Sequence, residues 1–237
     1  TELVRTIRSD WLDGNADDGA VEQLLGTLRK DTPGAVCEQI VSMLNSGISP
    51  QSIWDAQLVF AGELLMRQPA IVPLHAVTTS NATRFAYEAS GDDETRRLLM
   101  LQNAAFLPMF RDAMRNRGNV KDLTVETLNT GDEPTDGLTT DAIFTELGKN
   151  PMEAARQVKQ FLSGPQKAQE LIDAARVLVF LKGNDAHDYK FSSAVLEDYY
   201  KVSPNWRNTF LASNVFQLQH SGRPDNGLVE RTRAALS

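Results

Sequence analysis

Apolar residues recur three and four positions apart along nearly the whole chain, the spacing of one helix face. The periodic stretches are separated by starts of one kind. Thr32-Pro33, Ser49-Pro50, Asn150-Pro151 and Ser203-Pro204 each place a capping side chain before a proline at the first helical position, and Gly164-Pro165 is a fifth start of similar kind. Together they predict helices over 2–12, 18–30, 33–46, 50–67, 70–90, 93–116, 140–149, 151–162, 165–182, 186–201, 204–220 and 226–236. Gly47, Gly118 and Gly183 stand where C-terminal caps are needed. Only "KDLTVETL" (121–128) reads as a strand. The fold class is therefore all-α.

The expected architecture is a multi-helix bundle of about ten to twelve helices in a single domain over 1–237. The turn-rich "NTGDEPTDGLTTD" (129–141) reads as a long surface loop rather than a linker, because both flanking parts carry strongly apolar helices that need partners. Two helices look buried on all sides and should form a central pair. "SIWDAQLVFAGELLM" carries Glu63 in its longest apolar run, and "RRLLMLQNAAFLPMF" carries Gln102 and Asn103, with Pro108 forcing a kink or break.

Charge narrows the functional classes. A formal net charge of -7 argues against nucleic-acid binding, which needs clustered Lys and Arg. The most basic stretch, "RDAMRNRGNVK" (111–121), reads as a solvated helix end with cations at the C-terminal dipole. A single cysteine, Cys37, excludes an internal disulfide and any Cys-based zinc site, and its apolar neighbours make it a small buried hydrophobe. No apolar run is long enough to span a bilayer. The opening "TELVRTIRSDW" has neither Met nor a signal peptide, so the chain is expected to be a processed product or part of a longer protein.

Candidate chemistry comes from polar residues on apolar faces. In "AIVPLHAVTTSNATRFAYEAS" (70–90), Ile71, Leu74, Ala82, Phe85 and Ala89 share an arc that includes His75 and Thr78, with Thr79 and Asn81 at its margins. A buried imidazole there needs a hydrogen-bond partner or a metal, since leaving it unpaired costs ~1–3 kcal/mol. In "GNDAHDYKFSSAVLEDYY", His187, Phe191, Ala194 and Asp198 share a face, and Asn184 or Asp185 is the cap. An imidazole and a carboxylate on one inward face suit a metal site or an oriented base; alternatively, His187 and Asp188 complete the capping turn. Asn214 lies between Phe210, Leu211, Val215 and Leu218, whereas His220 falls at a frayed, exposed end. Glu63, His75, His187, Asp198 and Asn214 thus bring inward polar groups from four helices, as bundles do when they build metal or cofactor sites. No glycine-rich phosphate loop, nucleophile elbow or His-Glu-x-x-His pattern is present.

Three segments carry a resemblance: "PQSIWDAQLVFAGELLMRQPAIVPLHAVTTSNATRFAYE", "TRRLLMLQNAAFLPMFR" and "HDYKFSSAVLEDYYKVSP". They resemble the C-terminal half of a family of long helical bacterial proteins of the planctomycete type, and the "LHAVT" helix is similar to the questin-oxidase-like proteins. The first resemblance implies a missing N-terminal half with histidine-bearing helices, and a cytoplasmic or periplasmic bacterial protein. The second implies oxygen insertion into an aromatic substrate. Both point to His75, Thr78 and Asn81 in "LHAVTTSNA" and to His187, Asp188 and Lys190 in "HDYK".

The resulting expectation is an oxidoreductase of oxygenase type. His75, His187, Asp188 and Lys190 would do the chemistry, and Thr78, Asn81 and Asn214 would hold a cofactor or substrate. Glu63, His75, His187 and Asp198 would be the metal ligands, with iron or haem as the cofactor. Its partners would be an aromatic small molecule and either the missing half or a second copy of the chain. The alternative is a helical interaction or scaffold module, in which the same residues fix helix register.

Overall fold

A computed structural model describes residues 2–129, 137–164 and 167–237. Twelve α-helices account for most of them: α1 (Glu2–Arg5), α2 (Asp18–Lys30), α3 (Pro33–Asn45), α4 (Pro50–Arg67), α5 (Ile71–Ala89), α6 (Asp93–Met114), α7 (Thr140–Leu147), α8 (Pro151–Ser163), α9 (Lys167–Lys182), α10 (Ala186–Asp198), α11 (Pro204–Asn214) and α12 (Gly227–Leu236). The protein is an all-α bundle, with no strand among the described residues. Most of the expected 129–141 loop, and Pro165 of the Gly164-Pro165 start, lie outside them.

Three of the four expected capping side chains act where the sequence places them, while Ser203 makes no side-chain cap bond at the start of α11. Thr32, Ser49 and Asn150 side-chain oxygens accept N–H bonds from Ala35, Gln51 and Glu153, each ahead of or alongside a proline at the first turn. Gly47 and Gly118 take positive φ after their helices. Three local readings change. The first expected helix is one short turn, Glu2–Arg5, followed by a separate 3-10 turn at Trp11–Asp13. Pro108 does not break α6, which runs unbroken past it. The expected strand at 121–128 has no partner strand among the described residues; instead Val125–Leu128 form a 3-10 turn whose Val125 N–H is captured by Glu63 at 3.0 Å.

α4 is the axis of the bundle. Sixteen of its 18 residues are buried, and it packs against α2, α5, α6 and α11. Its expected partner, α6, is amphipathic instead: Met100, Leu101, Ala104, Leu107 and Met114 face inward, while Gln102 and Met109 are exposed. The bundle therefore has one central helix rather than a central pair.

Close approach to that axis depends on Gly62. A methyl group there would stand 2.1 Å from Ser213 Oγ and 2.7 Å from Asn214 Nδ2, both on α11. Those side chains are fully buried and bonded to the Phe210 carbonyl, at 2.9 and 2.8 Å, so they have no room to yield. Gly62→Ala is expected to lower unfolding stability by about 1–3 kcal/mol through overpacking, measured by urea denaturation. A neutral Gly62→Ala would mean that α11 can move off α4.

Candidate functional site

The inward face of α5 is not the one its apolar residues suggest. Two stripes of helical spacing run along this helix, on opposite sides. One is Ile71, His75, Thr78, Ala82, Phe85 and Ala89; the other is Pro73, Val77, Ser80, Arg84 and Tyr87. The second is the buried one, despite its serine and arginine. Ser80 donates to Asn103 Oδ1 at 3.1 Å, and Asn103 donates to Gln57 Oε1 at 2.7 Å, joining α5, α6 and α4. Arg84 donates to Gln51 Oε1 and Glu88 Oε1, and its guanidinium lies 5.2 Å from the Trp54 ring centroid. Such stacking suits a planar, weakly hydrated cation.

The first stripe therefore faces outward, and His75 is exposed rather than a core imidazole. Phe85 on this stripe is 71% exposed, but the His75 end meets a neighbouring helix. α10 lies alongside α5, and its first turn brings His187 to His75, with ring centroids 5.6 Å apart and planes at 73°. Between α5, α6 and α10 opens a groove of about 800 Å³. Leu74, Ala82, Ala86, Leu99, Ala186 and Ala194 give it apolar walls. His75, His187 and Lys190, with Thr78, Thr79, Asn81, Thr83, Gln102 and Ser193, supply its polar groups.

The expected site residues divide between this groove and other places. His75, Thr78, Asn81, His187 and Lys190 converge there. Thr78 Oγ1 donates back to the Leu74 carbonyl at 3.2 Å. Asp188 does not line the groove: its oxygens accept from Asn184 N–H at 2.9 Å and Gln219 Nε2 at 2.8 Å, completing the turn that Asp185 caps. Asn214 does not reach the groove: its Nδ2 donates to the Phe210 carbonyl against Gly62, and its Oδ1 is buried without a partner among the described residues. Glu63 is taken by Arg29, which contacts it at 2.6 Å, and by Val125 N–H. A buried carboxylate needs such a partner, and Arg29 supplies it from α2.

Asp198 stands behind the groove wall. It is buried and accepts one bond, from Asn81 Nδ2 at 3.0 Å, while Oδ2 has no partner among the described residues. Burial pushes its carboxyl up to about 6, against the bond from Asn81 and the charge of Arg84, which pull it down. Asn81 thus touches the groove on one side and a readily protonated carboxyl on the other.

The expected metal ligands do not assemble. Among the described residues no three His, Cys, Asp or Glu side chains come together as donors. Two imidazoles alone fall short of the three or more protein ligands that ordinarily hold a first-row metal. The rings also meet edge to face, leaving no slot for a porphyrin between them. The residues present therefore do not fit a resident iron or haem.

Residues outside the expected set complete the groove: Leu99 and Gln102 from α6, Thr83 from α5 and Ser193 from α10. Nothing in the local pattern marks Leu99, Thr83 or Ser193, and Gln102, expected inside a buried helix, is exposed; the four become neighbours only when three helices meet. His220 is half-buried rather than exposed, its ring against Gly148, where burial lowers its basicity. Cys37 is half-buried, and its thiol donates to the Leu101 carbonyl at 3.4 Å; burial raises the thiol above its usual range, which makes it a poor nucleophile. No helix is long and apolar enough to cross a membrane among the described residues. No protein-family model, curated protein or solved structure matches this chain.

The raised Asp198 carboxyl ties stability to pH. Folded, it holds its proton to about 6; unfolded, it releases it near ~4. Between these values the folded chain binds the extra proton, so stability falls as pH rises through the window and stays lower above it. Relative to Asp198→Asn, the unmodified protein is expected to lose about 2 kcal/mol between pH 4 and pH 7. Parallel pH–stability curves for the two proteins would count against the burial of this group.

Proposed function

We propose that the protein binds a small organic anion with an apolar body in the α5–α6–α10 groove, and that His75 and His187 act on it as an acid–base pair. The observation that carries this reading is the convergence of two imidazoles from helices far apart in sequence at the mouth of one groove. Its electrostatics support the choice of ligand. His75, His187 and Lys190 are the ionisable side chains lining it among the described residues, and no carboxylate does, although the chain carries a net charge of -7. Apolar walls would hold the body of the ligand, and a few convergent polar groups would fix its orientation, the usual division of labour in a small-molecule site.

Imidazole can take a proton from an acidic O–H or C–H of the ligand and return it, provided it lies within hydrogen-bond reach. Lys190 would pair with the anionic group, and the hydroxyls of Thr79 and Thr83 with Gln102 would bond its neutral oxygens. The oxidoreductase expected from the sequence would require this same proton transfer on an aromatic substrate, without a resident metal. The scaffold alternative makes no use of the groove.

The readings separate by experiment. Aromatic and aliphatic carboxylates, benzoate and salicylate among them, are screened by thermal shift and then by calorimetric titration. Because His75 and Lys190 are exposed, His75→Leu and Lys190→Gln should fold normally and weaken binding of the best carboxylate about tenfold each, the loss of one charge-assisted bond. Carboxylates that do not bind, or that bind both variants unchanged, would leave the scaffold reading in place.

A further inference from the structure

A second cavity, of about 200 Å³, opens where the C-terminal ends of α4 and α6 meet the segment that follows α6. Its lining is unusual for an acidic protein: Arg29, Arg67, Arg111, Arg115 and Lys121, with Asp122 as the one acid. Cationic side chains already paired offer little to a ligand. Arg29 is committed to Glu63 and Glu126. Arg111 is committed to Asp112 and to the carbonyls of Leu28 and Asp31 at 2.8 and 3.0 Å.

Three cations are left with weak partners or none. Arg67 reaches the Lys121 carbonyl only at 3.4 Å and Asp122 only at 3.9 Å, although its side chain is 17% exposed. Such distances are at or beyond the limit of a hydrogen bond. Arg115 has its nearest carboxylate, Asp112, at 3.9 Å. The Lys121 ammonium makes no bond or ion pair among the described residues, while its backbone N–H donates to the Arg67 carbonyl at 2.9 Å and brings the two residues side by side. Arg67 in particular is half-buried with only these weak contacts, so its guanidinium keeps donors to offer an anion in the cavity.

We propose that Arg67, Arg115 and Lys121 form a binding site for the phosphate group of a small soluble ligand. A tetrahedral dianion offers acceptors to a guanidinium fork, to a second guanidinium and to an ammonium at once, which a single carboxylate does not. The committed pairs Arg29–Glu63 and Arg111–Asp112 position the walls and take no part in binding. This site is separate from the groove of α5 and α10 and shares no lining residue with it.

The test is calorimetric titration of the intact protein with inorganic phosphate and with pyrophosphate, at constant ionic strength, alongside vesicles containing phosphatidic acid. Saturable binding of the free anions is expected, tighter for pyrophosphate. Lys121→Gln, an exposed substitution that folding should tolerate, is expected to weaken it about tenfold, and Arg67→Gln more. A control that does not line the cavity, Arg8→Gln, should leave it unchanged. The proposal is overturned by absence of saturable anion binding, by equal loss in Arg8→Gln and Lys121→Gln, or by binding to the vesicles alone.

Discussion

The structure depends on one constraint: α4 is enclosed around its whole circumference, yet it carries polar side chains on several sides. A buried polar group left without a partner is expensive, so each of these residues selects a neighbour. Ser52 accepts the N–H of Asp17 at the start of α2. Asp55 accepts the N–H of Ser203 at the start of α11 and the amide of Gln51 from its own helix. Gln57 takes Asn103 from α6, and Glu63 takes Arg29 from α2 and the backbone at Val125. Apolar packing against α4 could slide by a turn at modest cost; these bonds could not. They set the register of the surrounding helices.

The groove inherits its geometry from that register. α5 is locked inward by Ser80 and Arg84, with Arg84 bonded to Gln51 of α4 and stacked on Trp54. This leaves the His75 stripe facing α10. A salt bridge from Lys201 to Glu88 and the bond between Asn81 and Asp198 hold the end of α10 against α5. The capping turn at Asp185 then presents His187 beside His75. Both imidazoles sit on helices rather than loops, the kind of support that keeps a binding constellation in place.

Most helix boundaries were legible because their causes are local. A capping oxygen, a proline at the first turn and apolar spacing act over a few residues, as Thr32-Pro33, Ser49-Pro50 and Asn150-Pro151 illustrate. His75 and His187 are also legible as candidates, though neither lies on an inward face: both line a groove at the surface, and His187 belongs to the capping turn that is its alternative reading. The stripe through Ile71 and Phe85 looks more apolar than the stripe through Ser80 and Arg84. Hydropathy ranks them wrongly because it assigns Ser and Arg to water, whereas Asn103, Gln51, Glu88 and Trp54 satisfy them inside. Glu63 was rightly seen to need a partner, but its partner lies 34 residues away, and spacing carries no record of it.

What the amino-acid order determined by itself was the set of helices, their caps and the presence of polar groups that could not be left unpaired. Only the tertiary structure decided which partner each group took, which face of α5 turned inward, and which three helices enclosed a groove. The reason is physical. Helix formation and capping are settled among residues within a turn or two of each other, while the pairing of Arg84, Glu63 or His75 is settled by whatever distant side chain the packed bundle brings within a few ångströms.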